Sequence, residues 1–321
     1  MEVSSGITNR RRYRYRRTVS IRRGRRGVVS VVGTLLALLV FFALFGIFVT
    51  QYVPIWMADN ESDFSASVQA SLAELKQNID LQTALGRPPL FSTPFSLASQ
   101  GIPLFAQPTQ GTLNYIPHTQ GVYLNVSMEW GPGGKPDFSS NISLGTIHVS
   151  LPNRYYTTEQ FEYENDAVIQ SQGDTSQVLL YPPPFTINRT GEHTTVNFEE
   201  LQLYGNASQI VSPGTVQVFS QLDNVQSFPS NGTGWGGDPP AGTPFGASIT
   251  LGTLYPCAWA TYLNSTLRAS GLQPGLNYTL TPDTCVPSHG LSTPVKLVFF
   301  GITTFNLILA SFQIVIGVGS G

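Results

Sequence analysis

The sequence predicts an α+β protein: an N-terminal transmembrane helix continuing into an amphipathic helix, then a mainly antiparallel, β-sandwich-like head. Three observations lead there. Gly27 to Ala58 contains no charged residue. Apolar residues then recur at steps of three and four. Beyond residue 121, apolar and polar residues alternate in short runs separated by Gly, Pro, Asn and Ser.

Charge divides the chain of 321 residues. Of 17 Lys and Arg and 19 Asp and Glu, residues 1–27 hold ten Arg and one Glu, a net of +9, which leaves 7 − 18 = −11 for the rest. So few charges beyond Gly27 argue against an ordinary cytosolic enzyme. Arg interleaved with Tyr in RRRYRYRRTVSIRRGRR has the composition of a nucleic-acid patch. Its position directly before an apolar run argues for a membrane role and no nucleic acid. Residues 1–27 read as a cytoplasmic leader touching anionic lipid. Residues 28–57 read as one span, and everything after about 58 is expected to be exported. A helix from Val28 to Val53 is about 39 Å long, enough to cross a roughly 30 Å hydrocarbon core with some tilt. Tyr52 and Trp56 suit the far interface, and Pro54 is expected to kink or end the embedded part.

The junction Arg25-Arg26-Gly27-Val28-Val29-Ser30-Val31-Val32-Gly33-Thr34-Leu35-Leu36 resembles the start of archaeal type IV pilin-like proteins. The resemblance covers the first 30–60 residues. It implies a prepilin-type peptidase as a partner, cutting between Gly27 and Val28 on the cytoplasmic side. It also implies a mature helix that packs against like subunits in a filament. A plain uncleaved signal anchor is the other reading of the same residues.

Residues 58–86 carry Phe64, Val68, Leu72, Leu75 and Ile79 on one helical face. Asp59, Glu61 and Asp63 suit the helix dipole, and Gly86 with Pro88 and Pro89 marks the end. Residues 87–121 are too rich in Pro for continuous helix, leaving short strands only. In the rest of the head, 87–321, strands are expected at Val122–Trp130, Ser143–Leu151, Val168–Ile169, Gln177–Tyr181, Phe185–Asn188, Thr194–Leu203, Gly214–Leu222, Ala247–Thr253 and Tyr278–Leu280. Leu297–Val318 is long enough to cross a membrane. Its β-branched and aromatic content and Gly301 favour two buried strands instead. Ser230–Phe245 reads as a turn-rich loop carrying Trp235, and Gly131–Lys135 as a turn.

Eight Asn-X-Ser/Thr sequons, at Asn60, Asn125, Asn141, Asn188, Asn206, Asn231, Asn264 and Asn277, are expected glycosylation acceptors on an exported surface. Cys257 and Cys285 are expected to form a disulfide in that compartment. No metal, nucleophile or cofactor motif is present, so neither an enzyme nor a cofactor is expected. Glu159, Glu162, Glu164 and Asp166 are dense enough to suggest a hard cation, although a solvated acidic strand is the plainer reading. A head with few titratable groups is expected to change little in stability with pH, which would suit an acidic external medium. The function expected from all this is structural, in surface assembly or adhesion. The alternative is a monomeric tethered module that binds a solute, a glycan or a surface-layer partner.

Overall fold

The computed structural model describes residues 24–86, 89–129, 138–173, 176–230, 244–283 and 294–318. They fall into two compact units that meet between Tyr52 and Val53. In the first, helix α1 (Gly24–Ile47) leads into a π-helical turn, Phe48–Tyr52. Leu35, Leu39, Phe41 and Leu44 are all exposed. Two threonine hydroxyls are satisfied by their own helix: Thr34 Oγ1 donates to the Val31 carbonyl at 2.9 Å and Thr50 Oγ1 to the Gly46 carbonyl at 2.8 Å. A helix apolar all round with its backbone and hydroxyls satisfied internally is built for lipid or for like helices. Among the described residues this is the one helical stretch long and apolar enough to cross a membrane.

Pro54 does not end the helix, since α2 (Val53–Leu85) follows the π turn at once. Proline has no N–H to give, and its ring crowds the carbonyl four residues back. A π turn widens the backbone at that point and absorbs the misfit.

Helix α2 is the spine of the second unit. The expected stripe Phe64, Val68, Leu72, Leu75 and Ile79 is buried, and burial extends back to Met57 and Val53. Burying each large apolar side chain contributes about 1.5–3 kcal/mol. The helix stops where Gly86 (φ +57) turns into the left-handed region and donates its N–H to the Gln82 and Thr83 carbonyls. Glu61 departs from expectation. It is buried in the third turn, too far from the helix start to serve the dipole.

Sixteen strands follow among the described residues: β1 Phe91–Ser96, β2 Thr112–Ile116, β3 Tyr123–Glu129, β4 Phe138–Ser143, β5 Thr146–Leu151, β6 Glu159–Glu164, β7 Ala167–Gln172, β8 Ser176–Tyr181, β9 Thr186–Thr190, β10 His193–Gly205, β11 Ser208–Val211, β12 Thr215–Ser230, β13 Phe245–Gly252, β14 Tyr278–Thr281, β15 Val295–Ile302 and β16 Thr304–Val318. They form three sheets, ordered β1-β12-β16-β10-β9, β11-β2-β5-β6-β7-β8 and β14-β15-β13-β3-β4. Every paired strand is antiparallel to its neighbour except β10 and β16, which run parallel from Thr195↔Thr304 to Gly205↔Ile314. Pro94 is tolerated because β1 is an edge strand.

Two buried cores result. One lies between α2, the inner face of the second sheet and one half of the long strands β10, β12 and β16. The other is built on the third sheet, the opposite half of those strands and helix α3 (Pro256–Ala269). The segment Leu297–Val318 is strand, not membrane helix. Gly301 at φ +71 lets the chain turn, and the Thr303 N–H donates to the Thr194 carbonyl where the chain passes from the third sheet to the first.

Helix α3 was not expected from the sequence. Its signals are Pro256 at the first turn, Trp259, Leu263 and Leu267 at steps of four, and Gly271 (φ +78) just beyond. The Leu272 N–H donates to the Leu267 carbonyl and the Gly271 N–H to the Arg268 carbonyl, which closes the helix as a Schellman motif. Strands β1, β2, β4, β6 and β11 were also not singled out.

Candidate functional site: a cleft at His148 and the acids behind it

The densest titratable chemistry of the second unit sits on β6 and the turn after it. Glu159, Glu162, Glu164 and Asp166 are all buried, which overturns the expected solvated acidic strand. Strand alternation then sends them to opposite faces, so they make no common cation site. Glu159 faces α2, where it accepts from Ser65 Oγ and from the Gln170 and Gln172 amides. Asn165 (φ +43) and Asp166 (φ +60) form the two-residue hairpin turn to β7. Asp166 accepts from Lys76 Nζ at 2.6 Å and from the Tyr163 hydroxyl at 2.7 Å. Asn165 Oδ1 takes the Leu201 N–H at 2.9 Å.

Glu162 and Glu164 face the other way. Glu164 lies under α3, accepting from Trp259 Nε1 at 2.5 Å and from Thr253 Oγ1. Burial pushes its carboxyl up to about 8, helped by the nearby Glu162 charge and opposed by the Thr253 and Trp259 hydrogen bonds. Glu162 Oε2 lies 2.8 Å from His148 Nδ1 on neighbouring β5. Burial alone would lower the His148 pKa. The Glu162 hydrogen bond and charge outweigh it and raise the net value. The Tyr255 hydroxyl also bonds Glu162, and burial with the two carboxylates raises its pKa far out of reach of neutral pH.

His148, Glu162 and Tyr255 line a cleft of about 370 Å³ with Asn114, Thr146 and Gln160, and Ile116 and Leu254 help to make most of its surface apolar. Thr146 Oγ1 pairs with Thr119 Oγ1 at 2.8 Å across its floor. A cleft of this composition offers amides, hydroxyls and one hydrogen-bonded imidazole–carboxyl pair beside apolar surface. It can hold a neutral or weakly charged polar group by hydrogen bonds. None of these residues except Glu162 was a candidate from sequence. The signal was the cross-strand pairing of His148 with Glu162, which needs the register of β5 on β6. Among the described residues, no three His, Cys, Asp or Glu side chains stand together as a metal would require.

The sequence-derived sites are spread widely. The Gly27–Val28 bond lies within α1. Asn141, Asn188 and Asn206 are exposed, and Asn125 is half-buried within β3. Asn60 is half-buried in α2, with Nδ2 donating to the Gln100 carbonyl at 2.9 Å. Asn264 Oδ1 accepts from the Tyr278 hydroxyl at 2.9 Å, and Asn277 Oδ1 from the Gln273 N–H at 3.0 Å. Cys257 is buried at the start of α3. Its expected partner Cys285 lies outside the described residues, as do Asn231, Trp235 and Gly131–Lys135.

In comparisons with known proteins, no family model, no curated protein and no solved structure matches this chain.

Proposed function

We propose that this chain is a membrane-anchored surface protein of pilin-like build, acting in surface assembly or adhesion. The observation that carries the reading is α1, whose apolar side chains are exposed on every side and which is joined through the π turn to α2, the core helix of the second unit. In the membrane that apolar surface is solvated by lipid. In a filament it is buried against the same helix of like subunits. Gly33, Thr34, Ala37, Ala43 and Gly46 provide the small surfaces for close approach. The ten Arg before Val28 keep the N-terminus in the cytoplasm and send the sandwich-like β head outside. A prepilin-type peptidase cuts after Gly27, and the outward sequons carry sugar. Protease added to intact cells should digest the head and leave the Arg-rich end untouched. Digestion of the N-terminus alone would reverse the orientation.

The cleft at His148 and Glu162 favours a second reading, a monomeric tethered module that binds a polar solute or glycan. The two separate on extraction. A filament subunit sediments as polymer, whereas a tethered module leaves the membrane as a monomer whose binding is lost in His148→Ala.

A further inference from the structure

Strand β1 and the segment after it run antiparallel to α2, and three hydrogen bonds mark the track. Thr93 Oγ1 accepts from Asn78 Nδ2 at 3.0 Å, the Pro94 carbonyl from Ser71 Oγ at 2.7 Å, and the Gln100 carbonyl from Asn60 Nδ2 at 2.9 Å. Each step along the segment moves toward Val53, where the chain enters the unit.

The next residues make a tight turn. Ile102 and Ala106 exchange backbone hydrogen bonds at 2.9 and 3.0 Å, and the Phe105 N–H donates to the Ile102 carbonyl at 3.0 Å. Pro103 stands at the second position of this turn and Leu104 at the third, with φ +69. That is the third position of a type II turn, which glycine normally takes. A β-carbon there is strained, and the leucine is not repaid inside the chain, because its side chain is fully exposed. Strain at an exposed apolar residue points to a role outside the fold.

A second loop reaches the same level of α2. The Arg154, Tyr155 and Tyr156 N–H groups all donate to Glu61, one residue from Asn60, and all three side chains are exposed. Glu61 lies about 12 Å along the helix from Val53 at about 1.5 Å per residue. An apolar tip, with two tyrosines and one arginine at the same level of the helix, has the composition of a membrane interface.

We propose that the Ile102–Phe105 turn inserts into the outer leaflet of the bilayer. Tyr155 and Tyr156 sit in the head-group layer and Arg154 meets lipid phosphate. This second attachment fixes the head against the membrane surface. It rests on the reading of α1 as a membrane span.

The test uses the full chain in nanodiscs of zwitterionic and anionic phospholipid. An environment-sensitive fluorophore is placed at Leu104→Cys, at Leu39→Cys in α1, or at Leu276→Cys in the other core's loops. The parent chain is labelled in parallel as the blank for Cys257 and Cys285. Nitroxide-bearing lipid should quench the probes at 104 and 39 several-fold more than the probe at 276. Leu104→Gly suits the turn better than leucine, so it should keep the fold while lowering the quenching of a probe at Tyr156→Cys. Quenching at 39 with none at 104 overturns the insertion and leaves the span intact. No quenching at 39 overturns the span itself. Shielding at 104 that grows with chains per disc and ignores the lipid quencher assigns the turn to a second copy and also overturns the proposal.

Discussion

The carboxylate of Glu61 accepts the backbone N–H of Tyr155 at 2.7 Å, tying the third turn of α2 to a loop 94 residues further on. The same carboxylate also takes the N–H groups of Arg154 and Tyr156 and the hydroxyl of Thr109. One buried side chain therefore fixes two loops to the helix. Burial alone would raise its pKa. The Thr109 hydroxyl and the three backbone N–H groups outweigh that and lower it.

Removing this clasp takes the acceptor from the buried Thr109 hydroxyl and from three part-buried N–H groups, at about 1–3 kcal/mol for each donor that water does not reach. Glu61→Ala is expected to destabilise the second unit by about 2–4 kcal/mol through these lost hydrogen bonds. Glu61→Gln, which keeps one acceptor oxygen, should cost less. Urea unfolding of the full chain in detergent measures both. A loss under 1 kcal/mol in Glu61→Ala would show that the loops hold without it.

Stability should rise as pH falls from about 9 toward 5, contrary to the pH-insensitivity expected from composition. Burial holds Glu164 up to about 8 and Glu199 up to about 7, against about 4.3 for an unfolded glutamate. A raised acid is bound in its protonated form by the fold, so its penalty grows as pH rises from the unfolded value through the folded one. His148 acts in the same direction. Its raised pKa gives stability that is full below about 6.5 and lost as pH rises through the folded value. Glu61, with a lowered pKa, opposes them only in acid, as pH falls below about 4. Thermal unfolding across that range should place the maximum near pH 5. Glu164→Gln should flatten the alkaline side. A maximum at pH 8 or above would contradict these assignments.

Cys257 and Cys285 are expected to be bridged in protein from native envelopes. Reduction should add 2 Da to the intact mass, and Cys257→Ser should cost about 3–4 kcal/mol for a loop of this length. Two alkylatable thiols without reductant would contradict the bridge.

Sugar should be found first at Asn141, Asn188 and Asn206, which are exposed. It should be missing at Asn60, whose Nδ2 is the donor that holds Gln100. Glycopeptide mapping decides this, and a modified Asn60 would mean that this segment releases the helix in the cell.

What could be read in the sequence was what is periodic and local. The stripe Phe64–Ile79 and strand β3 are repeats of 3.6 and 2 residues, and the stop at Gly86 is a local backbone signal; none needs knowledge of partners. The two strands within Leu297–Val318 followed from β-branched content and Gly301. What escaped depends on contacts distant in sequence. Glu61 looks like a first-turn acid until the 154–156 loop is in place. Glu162 and Glu164 look like surface charge until α3 and His148 cover them. The cleft exists only in the register of β5 on β6. Helix α3 was missed for another reason: its Trp-Leu-Leu spacing is short and sits between strand signals.

The proposed pilin-like processing is decided by N-terminal sequencing with intact mass of protein from native envelopes. If a prepilin-type peptidase acts on this chain, the mature protein begins at Val28. A chain beginning at Met1 would contradict prepilin-type processing and leave an Arg-anchored, single-span protein whose function lies in the His148 cleft.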